Sequence, residues 1–315
     1  MSHLFLNPCK KRIIMFVRII IAGIIVAYLL TWISLLLYWW CHFYNMTPLH
    51  PEPLGFGSLL PIPPVLYKQG ESDELAPQIV ELYRTIEAEN PGYRVVYFSN
   101  TTRRAFIVER LEHKFPGLVD AYDRLVPGAY KADLFRICVL YANGGLYGDY
   151  SQQYMVPLDT LVDRQRDELV LSLDAPMPFY PQIYRKGVAC FLASRPEHPY
   201  WQHCIKQIMN NVHTEYYGSC PLDPTGPGLL QTVLDAHPET RYRMDIALLF
   251  HGNLGNKMYF PIYFQRLGTH ERVIRHKLAG HYSLMLAGEH YSDVWWRGGV
   301  YGEEDPGCAK KNPLK

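Results

Sequence analysis

Residues 131–158 read KADLFRICVLYANGGLYGDYSQQYMVPL, and the change of period inside this stretch decides the fold class. Leu134, Ile137, Cys138 and Tyr141 recur at i, i+3, i+4 and i+7, the stripe that one face of a helix buries. Asp133 and Arg136, three residues apart, share a neighbouring face. Asn143-Gly144-Gly145 ends the helix, because glycine enters the left-handed region without steric penalty. Leu146 to Asp149 then re-enters as a short strand with Asp149 at its end. Spacing alone leaves two readings open. Asp133 and Arg136 are an ordinary ion pair on a solvated helix face followed by a turn aspartate, or the three groups converge on a ligand.

Outward from this block, helices and strands alternate. Residues 76–90 carry helical spacing at Ile79, Leu82, Tyr83 and Ile86, and break at Pro91-Gly92. YRVVYFS (93–99) is a β-branched and aromatic run, hence a strand, and 102–115 and 118–125 are helical. Strands are expected at 168–173, 187–193 and 259–264, and helices at 200–211 and 228–236. The tail after Gly288 lacks periodicity and reads as a loop suited to lining a site. Such alternation predicts an α/β fold with a largely parallel sheet and a ligand site beyond the carboxyl ends of its strands.

The chain has 315 residues, 31 Lys+Arg against 30 Asp+Glu, and 48% apolar residues. Near-neutral charge argues against a nucleic-acid partner, which requires a basic surface, and 14% aromatic content excludes a disordered chain. The first segment differs from the rest. Residues 19–40 are uncharged, with Lys10, Lys11, Arg12 and Arg18 before them and an aromatic collar from Tyr38 to Tyr44 after them. Twenty-two residues rise about 33 Å as a helix, enough to cross a bilayer. The positive flank keeps the N-terminus in the cytoplasm, and WWCHFYNM offers no small-residue cleavage site. The expected organisation is a cytoplasmic tail (1–18), a membrane anchor (19–41), a proline-rich stem (42–61) and one folded domain (62–315). Of five cysteines beyond the anchor, Cys138 falls on a helix core face. Pairing among Cys190, Cys204, Cys220 and Cys308 is not readable. Asn45 and Asn100 match glycosylation tripeptides.

A carboxylate at a strand end can hold a hard cation directly or through water, and an Asp–Arg couple offers acceptors and forked donors to sugar hydroxyls. These are the needs of a sugar nucleotide with its diphosphate. The block Ala132-Asp133, Arg136, Leu140-Tyr141, Gly144-Gly145, Tyr147 and Asp149-Tyr150-Ser151 resembles the sugar-binding region containing the DXD motif of glycosyltransferase family 32. Similar elements flank it: Ile62-Pro63-Pro64, Asn90-Pro91-Gly92-Tyr93, Ala193-Ser194-Arg195-Pro196 and Thr225-Gly226-Pro227. The resemblance implies a GT-A-like, Rossmann-type nucleotide-sugar domain behind one transmembrane helix. It further implies retaining transfer of a hexose to a glycan or glycolipid acceptor, with Mn²⁺ or Mg²⁺ as cofactor and a Golgi or other endomembrane address. Residue by residue, Asp149 would meet metal and diphosphate, and Asp133 and Arg136 the donor sugar. Tyr147 would shape the nucleotide pocket, Gly144-Gly145 would turn the backbone beside the donor, and His290 would reach the metal or diphosphate with a Trp closing over the donor.

The chain also departs from that pattern. The second acid of the motif is Ser151, which lowers the expected metal affinity and raises a second possibility, a silent homologue that binds glycans. Tyr67-Lys68 stands where the family carries His-Gln; Tyr67 is expected as a surface residue or a base-stacking one. His290 reads equally as a structural histidine beside tryptophans, and Asp223 as a turn aspartate rather than an acceptor-binding base. A membrane-anchored glycoside hydrolase would need Asp133 and Asp149 to flank a sugar about 5–10 Å apart.

Overall fold

The computed structural model describes residues 8–44, 61–174, 188–250, 262–276 and 290–303. The chain divides into two units, residues 1–46 and 47–315. Most of the proline-rich stem, the Asn45 tripeptide and Cys308 lie outside the described residues. The first unit is one helix, α1 (Pro8–Tyr44), whose Val17–Leu35 stretch is long and apolar enough to cross a membrane. Ile24, Leu30 and Leu37 are more than half exposed on it. That stretch is apolar all round, with no polar face.

The second unit holds a nine-stranded sheet. In chain order its elements begin β1 (Val65–Gln69), α2 (Pro77–Glu89), β2 (Arg94–Phe98), α3 (Asn100–Arg110), α4 (Leu118–Arg124), α5 (Gly128–Asn143), β3 (Gly145–Gly148) and β4 (Gln153–Tyr154). They continue with β5 (Leu169–Leu173), β6 (Val188–Ser194), α6 (Pro199–His213), α7 (Pro227–Ala236), β7 (Ile246–Phe250), β8 (Ile262–Arg266), β9 (Arg272–Arg275) and α8 (Tyr291–Trp296). The strand order is β2-β1-β3-β6-β5-β7-β8-β9-β4.

The fold is α/β, but the sheet is mixed rather than largely parallel. β1 runs parallel to β2 and β3, and β5 to β7, whereas β3–β6, β5–β6, β7–β8, β8–β9 and β4–β9 are antiparallel. The alternation that implies parallel crossovers holds only up to β3. Beyond it, among the described residues, only α6 and α7, between β6 and β7, are helices long enough for such a crossover, and the short turn from β8 to β9 leaves no room for the crossover a parallel pair requires. The aperiodic tail also contains a helix, α8; one and a half turns are too short to print a helical period.

The period-derived helices form as expected. α2 buries Ile79, Leu82, Tyr83 and Ile86 against Ile62, Leu66 and Leu146 of the sheet layer. α3 starts two residues earlier than its period suggests, because Ser99 caps it and exchanges bonds with Thr102 in a capping box. α5 buries Leu134, Ile137, Cys138 and Tyr141, with Phe135, Val139 and Leu140 buried as well, so it is a central helix and not an amphipathic surface one. Cys138, Cys204 and Cys220 are buried free thiols, and burial pushes their pKa up. Tyr67, expected at the surface, is 5% exposed under β3.

Candidate active site

Two parallel neighbours, β1 and β3, with Tyr67 opposite Tyr147, set the frame. Their carboxyl ends place Gln69 beside Tyr147 and Asp149, and α5 leads into β3 through the two glycines. Gly144 (φ 64°) and Gly145 (φ 97°) take positive φ; a Cβ would stand 2.6 Å from the Pro196 nitrogen at the first and 2.8 Å from the Val65 carbonyl at the second. Only glycine fits there. Their place is the start of β3, about 13 Å of strand before Asp149, so they make the turn and sit apart from the acids.

The structure joins the other block residues into one chain of contacts. The Arg136 guanidinium pairs with Asp133 Oδ1 and lies over the Tyr147 ring, 5.2 Å from its centroid. The Tyr147 hydroxyl donates to Asp149 Oδ1 at 3.3 Å. The Asp133 and Arg136 side chains are only 12% and 13% exposed. That burial rejects the solvated-face reading, since a fully hydrated pair would stand clear of the core. Asp133 Oδ2 also accepts the Thr225 hydroxyl at 2.9 Å. Burial pushes the Asp133 carboxyl above its ordinary range, against the Arg136 charge and the Thr225 bond, while the Asp149 charge adds to the rise. The two carboxylates thus feel each other, and the guanidinium offsets that repulsion at Asp133.

Behind this row lies a buried polar layer that sequence spacing does not show. Gln69 Nε2 donates to the Tyr147 hydroxyl at 2.6 Å and to the Ala132 carbonyl at 2.8 Å, tying helix to strand. Its oxygen accepts from fully buried Arg103 at 3.2 Å, and Arg103 bonds Glu71 at 2.8 Å. Tyr291 of α8 stacks toward Tyr130, ring centroids 5.8 Å apart, and burial together with the nearby Asp133 and Asp174 charges raises its pKa. The one signal for this layer was Lys68-Gln69, a polar pair closing an otherwise apolar strand.

The other groups singled out in the sequence make local contacts. His290 caps α8, its Nδ1 accepting from the Ser292 amide at 3.4 Å, and its ring packs 4.3 Å from Tyr291. Trp295 donates to the Tyr217 carbonyl at 2.8 Å, while Trp296 is 71% exposed. Asp223 is a turn aspartate: Oδ2 accepts from the Ser219 amide at 2.7 Å and the Cys220 amide at 3.2 Å.

Residues 77–167 match the glycosyltransferase sugar-binding region containing DXD motif. The region runs from α2 to just before β5 and includes Asp133, Arg136, Tyr147 and Asp149. The chain is 25% identical over 136 residues to the initiation-specific alpha-1,6-mannosyltransferase of Candida albicans (43% of this chain, 32% of that protein). It is 27% identical over 132 residues to the Saccharomyces cerevisiae protein of that name (39% and 27%). The matches therefore span about a third or less of those relatives' length. Among solved structures, the PaToxG glycosyltransferase superimposes with a TM-score of 0.42 at 14% identity, over 57% of this chain and 70% of that one.

Proteins with the DXD region commonly use a divalent cation. Here Asp149 offers a carboxylate at the end of β3, and Ser151, two residues on, is buried. Among the described residues no three His, Cys, Asp or Glu side chains converge to hold an ion. A single carboxylate suits a small hard cation that keeps several waters and takes its other ligands from substrate phosphates. The donor set fits a cation carried in with a diphosphate, not one caged by protein alone.

Proposed function

We propose that this chain is a membrane-anchored, retaining glycosyltransferase that moves a hexose from a nucleotide sugar to a hydroxyl of a glycan or glycolipid. The observation that carries the reading is the contact chain Asp133–Arg136–Tyr147–Asp149 at the carboxyl ends of β1 and β3, inside the matched sugar-binding region. Asp133 and Arg136 present an acceptor and a forked donor to the hydroxyls of the sugar, and Tyr147 holds the Arg136 plane and the Asp149 carboxyl in register. Asp149 faces the diphosphate. A divalent cation bound with the donor would stabilise the departing diphosphate as a Lewis acid. α1 anchors the protein with its N-terminus in the cytoplasm and the folded unit across the membrane, in the Golgi or another endomembrane compartment.

The test is a panel of sugar nucleotides, with GDP-mannose first because of the yeast relatives, incubated with the detergent-solubilised full chain and Mn²⁺. Donor turnover is expected, and Asp149→Ala abolishes it while the melting temperature stays within a few degrees. Unchanged turnover in Asp149→Ala refutes the assignment. Ser151 favours one alternative, a glycan-binding protein without turnover; glycan binding with no donor hydrolysis at any Mn²⁺ concentration would establish it.

A further inference from the structure

Lys68, next to last in β1, is fully buried. Lysine is almost never buried to that degree without a strong local reason. Its ammonium donates to the Asp149 main-chain carbonyl at 3.0 Å and to the Tyr154 hydroxyl at 3.4 Å, and lies 4.9 Å from the centroid of the Tyr154 ring. The neighbouring backbone leaves no slack. A Cβ on Gly148 would stand 2.2 Å from Tyr154 Oη, 2.6 Å from Gln152 Oε1 and 3.2 Å from Lys68 Nζ. Strand end, turn and β4 thus close around one fixed positive charge directly behind Asp149. Lys68 does not reach solvent, so it cannot touch a substrate. Its contact with the turn is through the Asp149 carbonyl.

We infer that Lys68 is the positioning residue of Asp149, and that its ammonium, in a turn bearing Ser151 instead of a second acid, keeps the apo protein a weak binder of divalent cations. The carbonyl bond fixes the Asp149 peptide. One cation, Lys68, thus stands beside the one acid of the turn, Asp149. A neutral cluster draws an M²⁺ ion far less than a doubly acidic turn, and the missing negative charge arrives with the diphosphate. Only this last step rests on the proposed glycosyl transfer; the effect on cation affinity does not.

Mn²⁺ alone, titrated into the full-length protein in detergent and read as free Mn²⁺ by electron paramagnetic resonance, tests the inference. The wild type is expected to bind with Kd of about 1 mM or weaker. Lys68→Met is expected to tighten binding about tenfold, the order of effect that removing one nearby unit charge has on a divalent ion at high effective permittivity. Lys68→Arg keeps the wild-type affinity, and Asp149→Asn in the Lys68→Met background removes the gain. Binding by Lys68→Met no tighter than by the wild type overturns the inference, as does equal tightening in Lys68→Arg or a gain that survives Asp149→Asn. Should Lys68→Met fail to fold, micromolar Mn²⁺ binding by the nucleotide-free wild type overturns it alone, and about millimolar binding supports it. Absence of turnover with every sugar nucleotide would refute glycosyl transfer and leave this ranking of Mn²⁺ affinities intact.

Discussion

Thr225 offers the sharpest probe of the proposed site, because it touches the site through one bond. Its side chain is 1% exposed and its hydroxyl donates to Asp133 Oδ2 at 2.9 Å. Thr225→Val keeps the shape and deletes the donor. A hydrogen bond to a charged group is worth about 1.5–3 kcal/mol, and one pH unit of pKa corresponds to about 1.4 kcal/mol. The variant therefore raises further an Asp133 pKa already lifted by burial. The sign follows from linkage. A carboxyl whose folded pKa lies above its unfolded value binds a proton more tightly in the fold, so stability falls as pH climbs through that window. Thr225→Val extends the loss to higher pH and lowers the melting temperature at neutral pH. If the ionised form of Asp133 receives the sugar, the acid limb of the rate profile moves to higher pH. Initial rates at saturating donor across the acid range, beside thermal unfolding at each pH, measure both. An acid limb that stays in place while the protein melts normally would show that Asp133 does not act as a carboxylate in turnover.

Further tests address the frame around the site. Gly148→Ala drives a Cβ to within 2.2 Å of Tyr154 Oη; it should cost about 1–3 kcal/mol of stability and depress donor turnover more than melting temperature, whereas a fully active variant would mean that the Lys68–Tyr154 packing does not hold the turn. His198 caps α6 by accepting from the Tyr200 amide at 3.3 Å, and burial pushes its pKa from 6.5 down to about 4. The neutral ring is favoured in the fold, so this stability is present above pH 6.5 and drains away as pH falls toward 4, by about 3 kcal/mol at most. His198→Asn keeps a capping acceptor without the titration. Its unfolding should lose less stability between neutral and acid pH than the wild type, and equal losses would exclude His198.

Local arithmetic served where partners are near in sequence. The α5 stripe, the glycine turn and the short strand after it lie within a score of residues, and period and turn chemistry alone define them. Sheet direction did not follow, because it depends on how β5 to β9 return across the sheet, and five antiparallel pairings arise from connections whose paths hydrophobic periods do not encode. α8 was missed for a different reason: one cap and six residues carry too little repetition to register as a helix.

The site divides along the same line. Asp133, Arg136, Tyr147 and Asp149 lie within seventeen residues, so spacing can suggest that they converge, but it leaves an ordinary surface ion pair open, and only the family resemblance decides for a common site. The groups that fix their protonation and orientation come from afar: Thr225 is 92 residues from Asp133, Lys68 81 from Asp149 and Gln69 34 from Arg103. Such partners leave only indirect marks in a sequence, and here the marks were the oddities. A strand ending in Lys-Gln instead of apolar residues, and a DXD-like turn with serine for its second acid, each look like a defect when taken alone. Folded, the lysine of the first stands behind the aspartate of the second. On the inference drawn above, a second acid in the turn without Lys68 would recruit metal ahead of substrate, whereas Lys68 beside a single acid would leave that recruitment to the donor, and the two departures would then describe a single electrostatic arrangement.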